Sequence, residues 1–116
     1  MIRFFTYGTF RQGECRHDIL QSFKPEFIQV ITTASEYKLL NLGSFPGMVE
    51  GDKAVVGELY NLPEIALNTL DMIESHPSFF CRKEIKLKDG TCAISYLFQR
   101  SINNLHEITS NDWTNK

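Results

Sequence analysis

Two apolar segments separated by a tight-turn signal constrain the fold of this chain more than any other feature. Residues 79–87 and 92–99 carry apolar side chains in alternation, and Lys88-Asp89-Gly90-Thr91 lies between them. Asp-Gly in such a position is typical of a β-hairpin, because the turn needs residues that tolerate positive φ. The sequence therefore predicts an antiparallel pair of strands, to which the rest of the chain must add.

The remaining pattern predicts an α+β domain that spans residues 1–116. A chain of this length suits one hydrophobic core. Ala66, Leu70 and Ile73 recur at helical spacing after Pro63, and Trp113 is expected to pack back on the domain. Curling into a small barrel would hide the edges of the sheet. The predicted strands are residues 2–7, 27–42, 54–60, 79–87 and 92–99, the predicted helices are 18–23 (with Asp18 as its cap) and 63–73, and the predicted loops are 43–47 and 51–52.

Charge and cysteine content exclude several classes of function. The net charge is -2 with both signs interspersed, whereas nucleic-acid binders usually carry a strong basic excess. No apolar segment approaches the length that a membrane span requires, and the N-terminus lacks the apolar core of a signal peptide. Cys15, Cys81 and Cys92 form no metal-ligand spacing, and an odd count favours a reducing compartment. We expect a cytoplasmic protein without metal, nucleic-acid or membrane partners.

Two groups of residues are candidates for chemistry. Glu74 follows the predicted helix and precedes Ser75-His76-Pro77, a loop sequence of the kind that often carries functional side chains. Tyr7-Gly8-Thr9 ends a strand at a glycine, which lets a ligand approach free backbone N–H groups. Taken alone, a solvated carboxylate and an ordinary turn are the commoner explanations of these two features. His76 is the only histidine that lies near a candidate residue.

Several motifs in order along the chain resemble the gamma-glutamylcyclotransferase-like superfamily, and most closely its short bacterial YtfP-type branch. The opening resembles the Tyr-Gly-Ser/Thr-Leu-Arg stretch of that family, with Phe10 in the Leu place. The segments that carry the resemblance are Tyr7-Gly8-Thr9-Phe10-Arg11, Tyr37-Lys38-Leu39, Gly43-Ser44-Phe45-Pro46-Gly47, Val56-Gly57-Glu58-Leu59-Tyr60, Leu70-Asp71-Met72-Ile73-Glu74 with Arg82, Tyr96, and Ser110-Asn111-Asp112-Trp113.

The resemblance implies a small mixed barrel-like sheet with flanking helices and an enzyme that needs no cofactor. Such enzymes convert a γ-glutamyl amine or peptide to 5-oxoproline and release an amine. Glu74 would be the general acid and base, which requires a partly desolvated carboxylate in a pocket. The implied substrate-binding residues are Tyr7, Gly8, Thr9, Phe10, Arg11, Phe45, Pro46 and Phe80.

One departure from the family pattern keeps other functions open. The family often places a tyrosine in a Tyr-x-Arg pattern after the glutamate, and this chain has Phe80-Cys81-Arg82. A hydroxyl that could orient substrate is therefore absent. A non-catalytic protein that binds a small molecule in the same pocket is the main alternative, and an interaction module with a vestigial pocket is another. The oligomeric state and the amine leaving group stay open.

Overall fold

The computed structural model describes residues 1–116, which form a curled eight-stranded sheet with two helices. Neither helix has the length and apolar character that crossing a membrane requires. In chain order the elements are β1 (Ile2–Thr6), α1 (His17–Gln21), β2 (Glu26–Thr32), β3 (Tyr37–Asn41), β4 (Pro46–Glu50), β5 (Val56–Leu62), α2 (Ala66–Ile73), β6 (Phe80–Lys86), β7 (Cys92–Phe98), β8 (His106–Glu107) and a final 3₁₀ turn (Trp113–Asn115).

Strand β7 organises the sheet, because three other strands pair with it. Along one edge β6 runs antiparallel over the whole strand and forms the predicted hairpin. The opposite edge is shared by β1, which pairs in parallel at Phe4 and Ile94, and β4, which pairs in parallel at Met48 and Leu97. Because two strands share one edge, they must diverge, and a gap opens between them.

The two sides of the sheet meet where β2 and β6 end. The amide of Ala34 donates to the carbonyl of Lys86 at 2.9 Å, and the amide of Lys88 donates to the carbonyl of Thr32 at 3.0 Å. Strands β5 and β1 connect β2 to β7 on the other side, so the sheet curls upon itself. The predicted α+β class with a barrel-like mixed sheet is confirmed.

Alternation along the strands divides the apolar side chains between two clusters. In β1, Phe5 packs in the interior of the curled sheet, whereas Phe4 faces the helices. The second cluster includes Leu20 of α1 and Leu70 of α2, both fully buried. Successive side chains of a strand point to opposite faces, so one strand can supply both clusters. The helices are held by the outer cluster, which also contacts the ends of β1 and β7.

The strands differ from the prediction in three places. The segment predicted as one strand over residues 27–42 is divided into β2 and β3. Strand β4 begins inside the predicted 43–47 loop: Pro46 stands at its first position, where a missing N–H costs little. The next residue is Gly47, and a side chain does not fit there because a Cβ would lie 2.9 Å from Leu42 Cδ1 and 3.0 Å from Phe98 Cβ. Strand β8 is two residues long, too short to predict from alternation.

Both helices are shorter than predicted. Helix α1 begins at His17 with Arg16 as its N-cap, and the expectation that Asp18 caps it is wrong because Asp18 lies within the first turn. Helix α2 begins at Ala66, since Pro63 forms a preceding turn in which its carbonyl accepts the amide of Ala66 at 3.0 Å. The predicted apolar stripe faces the core, although Ile73 is only partly buried.

The C-terminal segment packs on the β1–α1 loop, which comprises residues 7–16. Trp113 is 5% exposed, as expected, and its indole N–H donates to Glu14 Oε1 at 2.8 Å. Asp112 Oδ1 accepts from Arg11 Nη1 at 2.8 Å. These two contacts tie the end of the chain to a loop that follows the first strand.

Glu58 of β5 is the second support of the β1–α1 loop. Its Oε2 accepts from Arg11 Nε at 3.2 Å, and its Oε1 accepts from the amide of Gln12 at 3.0 Å and from the hydroxyl of Tyr60 at 2.8 Å. Glu58 and Arg11 are 5% and 6% exposed, so the ion pair is shielded from water. A buried charge is tolerated when it is paired and hydrogen-bonded in this way.

Replacing Glu58 with Gln should destabilise the fold, because the Arg11 guanidinium would stay buried with part of its charge uncompensated. We expect the free energy of unfolding in urea to fall by about 2–4 kcal/mol. The same substitution at the exposed Glu50 is the control and should change it by less than about 0.5 kcal/mol. Equal effects of the two substitutions would contradict the structural role of Glu58.

Candidate active site

A cavity lies between the end of β1, the start of β4 and β7. The Tyr7 hydroxyl spans the gap: it donates to the carbonyl of Tyr96 at 2.6 Å and accepts from the amide of Met48 at 3.2 Å. The space is about 370 Å³, counting the open solvent at its mouth. Its wall is formed by Phe4, Phe5, Thr6, Tyr7, Gly8, Thr9, Phe10, Arg16, Phe45, Pro46, Glu74, Phe80, Ser95 and Tyr96.

The close approach of two loops shapes one side of the cavity. A Cβ on Gly8 would lie 2.8 Å from Pro46 Cγ, so only glycine fits against the start of β4. The carbonyls of Gly8 and Thr9 accept from the amides of Arg11 and Arg16 at 3.1 and 2.9 Å. This pattern makes the β1–α1 loop turn back on itself beside the cavity.

Four consecutive amide groups in this loop have no acceptor in the protein. The N–H groups of residues 7–10 donate to no backbone carbonyl and to no side chain. All four residues are buried. Because buried N–H groups are nearly always hydrogen-bonded, unpaired ones beside a cavity are available to a ligand. Consecutive backbone donors of this kind suit an oxyanion or a carboxylate.

Glu74 enters the cavity from the C-terminal end of α2. Its amide donates to the carbonyl of Leu70 at 2.9 Å, and its carbonyl accepts from the amide of Phe80 at 3.2 Å, so both sides of its backbone are held. The side chain is partly buried, and its carboxylate makes no hydrogen bond or ion pair with the protein. Burial raises the pKa of Glu74 to about 7, against the smaller opposing effect of the Arg16 charge.

Tyr96 of β7 lies next to Glu74 in the wall. Its hydroxyl donates to Asp71 Oδ1 at 2.6 Å, and Asp71 Oδ2 pairs with Arg82 Nη1 at 3.0 Å. Burial, followed by the contact with Asp71 and the charge of Glu74, raises the pKa of Tyr96. The ring is therefore held as a neutral phenol against the helix that carries Glu74.

The structure brings most of the predicted site residues together. Those in the cavity wall are Tyr7, Gly8, Thr9, Phe10, Phe45, Pro46, Glu74 and Phe80. Arg11 is the exception: its side chain does not reach the wall, because Glu58 and Asp112 bind its guanidinium. His76 is also outside, and its Nδ1 accepts from the amide of Arg82 at 2.9 Å. The position of Glu74 agrees with the expectation that it lines a pocket.

Several wall residues were not singled out from the sequence. Arg16 and Tyr96 are the two with polar groups suited to chemistry, and Ser95 already donates to the carbonyl of Phe5 at 2.8 Å. Arg16 has no sequence signal, since only the turn of the loop brings it to the cavity. The resemblance included Tyr96, but nothing in the sequence placed it beside Glu74. No cluster of three or more metal-ligating side chains occurs in the structure.

Comparison with known proteins identifies the family. Residues 4–115 match the family described as gamma-glutamyl cyclotransferase, AIG2-like. The chain belongs to this family. A Vibrio cholerae member, provisionally named a gamma-glutamylcyclotransferase, is 40% identical over 110 residues, which cover 94% of this chain and 92% of that protein. The gamma-glutamylcyclotransferase family protein YtfP of Escherichia coli K12 is 30% identical over 117 residues, covering 99% and 98%.

One further relative and two solved structures are similar to this chain over most of its length. The gamma-glutamylaminecyclotransferase A of Danio rerio is 27% identical over 127 residues, covering 99% of this chain and 75% of that protein. The solution structure of E. coli YtfP superposes with a TM-score of 0.78 at 27% identity, covering 98% and 97%. A crystal structure of a uropathogenic E. coli-specific protein gives 0.84 at 25% identity, covering 97% and 91%.

The raised pKa of Glu74 predicts a pH-dependent stability. The folded protein holds this proton up to about pH 7, whereas the ordinary pKa is 4.5, so stability is lost as pH rises from 4.5 through 7. Glu74→Gln removes the effect. The stability of the variant relative to wild type should therefore increase by up to about 3 kcal/mol between pH 4.5 and 8.

Urea unfolding at several pH values measures this difference. The matched control is Glu64→Gln at an exposed position near the start of α2, which should leave the wild-type pH profile unchanged. Parallel profiles for wild type and the Glu74 variant would show that the carboxylate is not desolvated.

Proposed function

We propose that this protein, acting as one domain over residues 1–116, converts a γ-glutamyl amine or peptide to 5-oxoproline and a free amine. The observation that carries the proposal is a partly buried, unpaired carboxylate with a pKa of about 7 in the same cavity as four free amide groups. A carboxylate with a pKa near neutrality is suited to both accepting and returning a proton. Family membership supports the same class of reaction.

In the proposed reaction Glu74 acts first as a base. It takes a proton from the α-ammonium of the substrate, and the freed nitrogen attacks the γ-carbonyl carbon of the same molecule. Because nucleophile and electrophile belong to one substrate, the cavity has only to hold it in a folded conformation. The carbonyl oxygen gains negative charge, which amide groups of residues 7–10 can stabilise.

Collapse of the tetrahedral intermediate completes the exchange. The bond between the γ-carbon and the leaving nitrogen breaks, and the proton held by Glu74 passes to that nitrogen. The ring nitrogen gives up its second proton to the departing amine, so the products are the five-membered lactam 5-oxoproline and an ammonium ion, and no cofactor is consumed. The family member named gamma-glutamylaminecyclotransferase A suggests γ-glutamyl amines, including γ-glutamyl-ε-lysine, as first substrates.

A non-catalytic binding protein is the second candidate, and one observation favours it. Phe80 lines the cavity at the position where the family pattern places a tyrosine, and its ring packs against Phe45 with centroids 6.2 Å apart. This side of the wall offers no hydroxyl to orient a substrate. The same cavity could then bind a small amino-acid-like molecule without turnover.

We place the activity in the cytoplasm, without nucleic-acid partners. All three cysteines are free thiols, which fits a reducing compartment.

Release of 5-oxoproline from a panel of γ-glutamyl amines and γ-glutamyl amino acids tests the proposal. Wild type should release product, and Glu74→Gln should lower kcat at least about 10³-fold because general acid–base catalysis is removed. Glu64→Gln is the control and should keep wild-type rates. The wild-type kcat/KM should fall about tenfold per pH unit below the Glu74 pKa of about 7.

Two results would contradict a cyclotransferase. Folded wild type that releases no product from any panel member would favour the binding protein, as would equal rates for wild type and Glu74→Gln. Phe80→Tyr then tests whether the missing hydroxyl is the cause. Product release that appears only in this variant would show that wild type is inactive because residue 80 lacks a hydroxyl.

A further inference from the structure

The cavity wall contains two charged side chains, and they come from different elements. Glu74 comes from the end of α2, and Arg16 comes from the β1–α1 loop. The Arg16 charge is near enough to lower the pKa of Glu74, yet the two form no ion pair. The cavity thus offers one positive and one negative group that do not neutralise each other by contact.

Arg16 forms no ion pair, unlike the two arginines that contact acidic residues. Arg11 is bound by Glu58 and Asp112, and Arg82 is bound by Asp71. Arg16 as a whole residue is partly buried, and its guanidinium has no carboxylate or other acceptor in the protein. A guanidinium has five donors in a planar fork, which matches the geometry of carboxylate and phosphate groups, and a γ-glutamyl substrate supplies a carboxylate.

The backbone of Arg16 is fixed beside the free amides. Its amide donates to the carbonyl of Thr9 at 2.9 Å, and its carbonyl accepts from the amide of Ile19 at 3.1 Å. The loop that carries it is fastened by the Glu14–Trp113 hydrogen bond described above. The backbone of Arg16 is therefore held at the cavity, so only its side chain has to be ordered when a ligand binds.

We propose that Arg16 binds the α-carboxylate of the γ-glutamyl substrate while Glu74 faces the α-ammonium. This assignment rests on the proposed function. The two charged groups of an α-amino acid share one carbon, so a site for them needs opposite charges that are close but not touching. With the α-carboxylate on Arg16, the amide groups of residues 7–10 stay available for the γ-carbonyl oxygen. Arg16 would also select against amides that lack the carboxylate.

A pair of substrates that differ only in the carboxylate tests this role. The first is the best γ-glutamyl amide from the panel, and the second is the 4-aminobutyryl amide of the same amine, which cyclises to 2-pyrrolidinone. Arg16→Met keeps most of the aliphatic stem and removes the charge. It should lower kcat/KM for the γ-glutamyl amide roughly 10- to 100-fold, the usual effect of losing a charge-assisted hydrogen bond, and for the 4-aminobutyryl amide less than about threefold.

The control variant is Arg100→Met, at an exposed arginine outside the cavity, which should change neither rate. Equal losses on both substrates in Arg16→Met would mean that Arg16 only supports the loop or the charge of Glu74, and would overturn the proposal. Unchanged rates on both would overturn it as well.

A binding measurement distinguishes failure of this inference from failure of the proposed function. Calorimetry with 5-oxoproline and with 2-pyrrolidinone needs no turnover. Weaker binding of 5-oxoproline alone in Arg16→Met would support the carboxylate site even if wild type released no product, and only the reaction would then be rejected. Unaltered 5-oxoproline binding in this variant would reject the Arg16 assignment, even in an active enzyme.

Discussion

The site depends on the hydroxyl of Tyr7. Strands β1 and β4 share one edge of β7 and diverge beside the carbonyl of Tyr96 and the amide of Met48. The hydroxyl satisfies both at once, at 2.6 and 3.2 Å. Burial raises the pKa of Tyr7, so the group keeps its proton and can donate and accept together. The hydroxyl thereby connects β7 to β4 in the wall of the cavity that also contains Glu74.

The environments of two glutamates explain why one supports the fold and the other is suited to proton transfer. Glu58 is almost fully buried, and Arg11, Gln12 and Tyr60 satisfy it, so it holds the β1–α1 loop and has no spare capacity for a ligand. Glu74 is less buried but has no protein partner, and desolvation without compensation raises its pKa to about 7. The unsatisfied carboxylate is the one suited to proton transfer.

Local sequence patterns predict part of the site. Gly8 and Glu74 belong to local signals, a strand that ends in glycine and a helix that ends before a loop, and both lie in the cavity wall. A motif gives the position of Arg11 along the chain but not the direction of its side chain, which Glu58 and Asp112 hold outside the cavity wall. Arg16 was missed because a loop turn, closed by the Thr9 carbonyl, brings it to the cavity.

The sequence by itself determined the α+β class, the hairpin around Asp89-Gly90 and the amphipathic helix before Glu74. These features depend on residues near one another in the chain, where turn geometry and side-chain periodicity act directly. Only the tertiary structure decided that β4 pairs with β7 and that Arg16 and Glu74 share one cavity. Those outcomes depend on contacts between segments that are distant in the chain. The strength of such contacts depends on how deeply the groups are buried and on which polar groups the fold leaves without a hydrogen-bond partner.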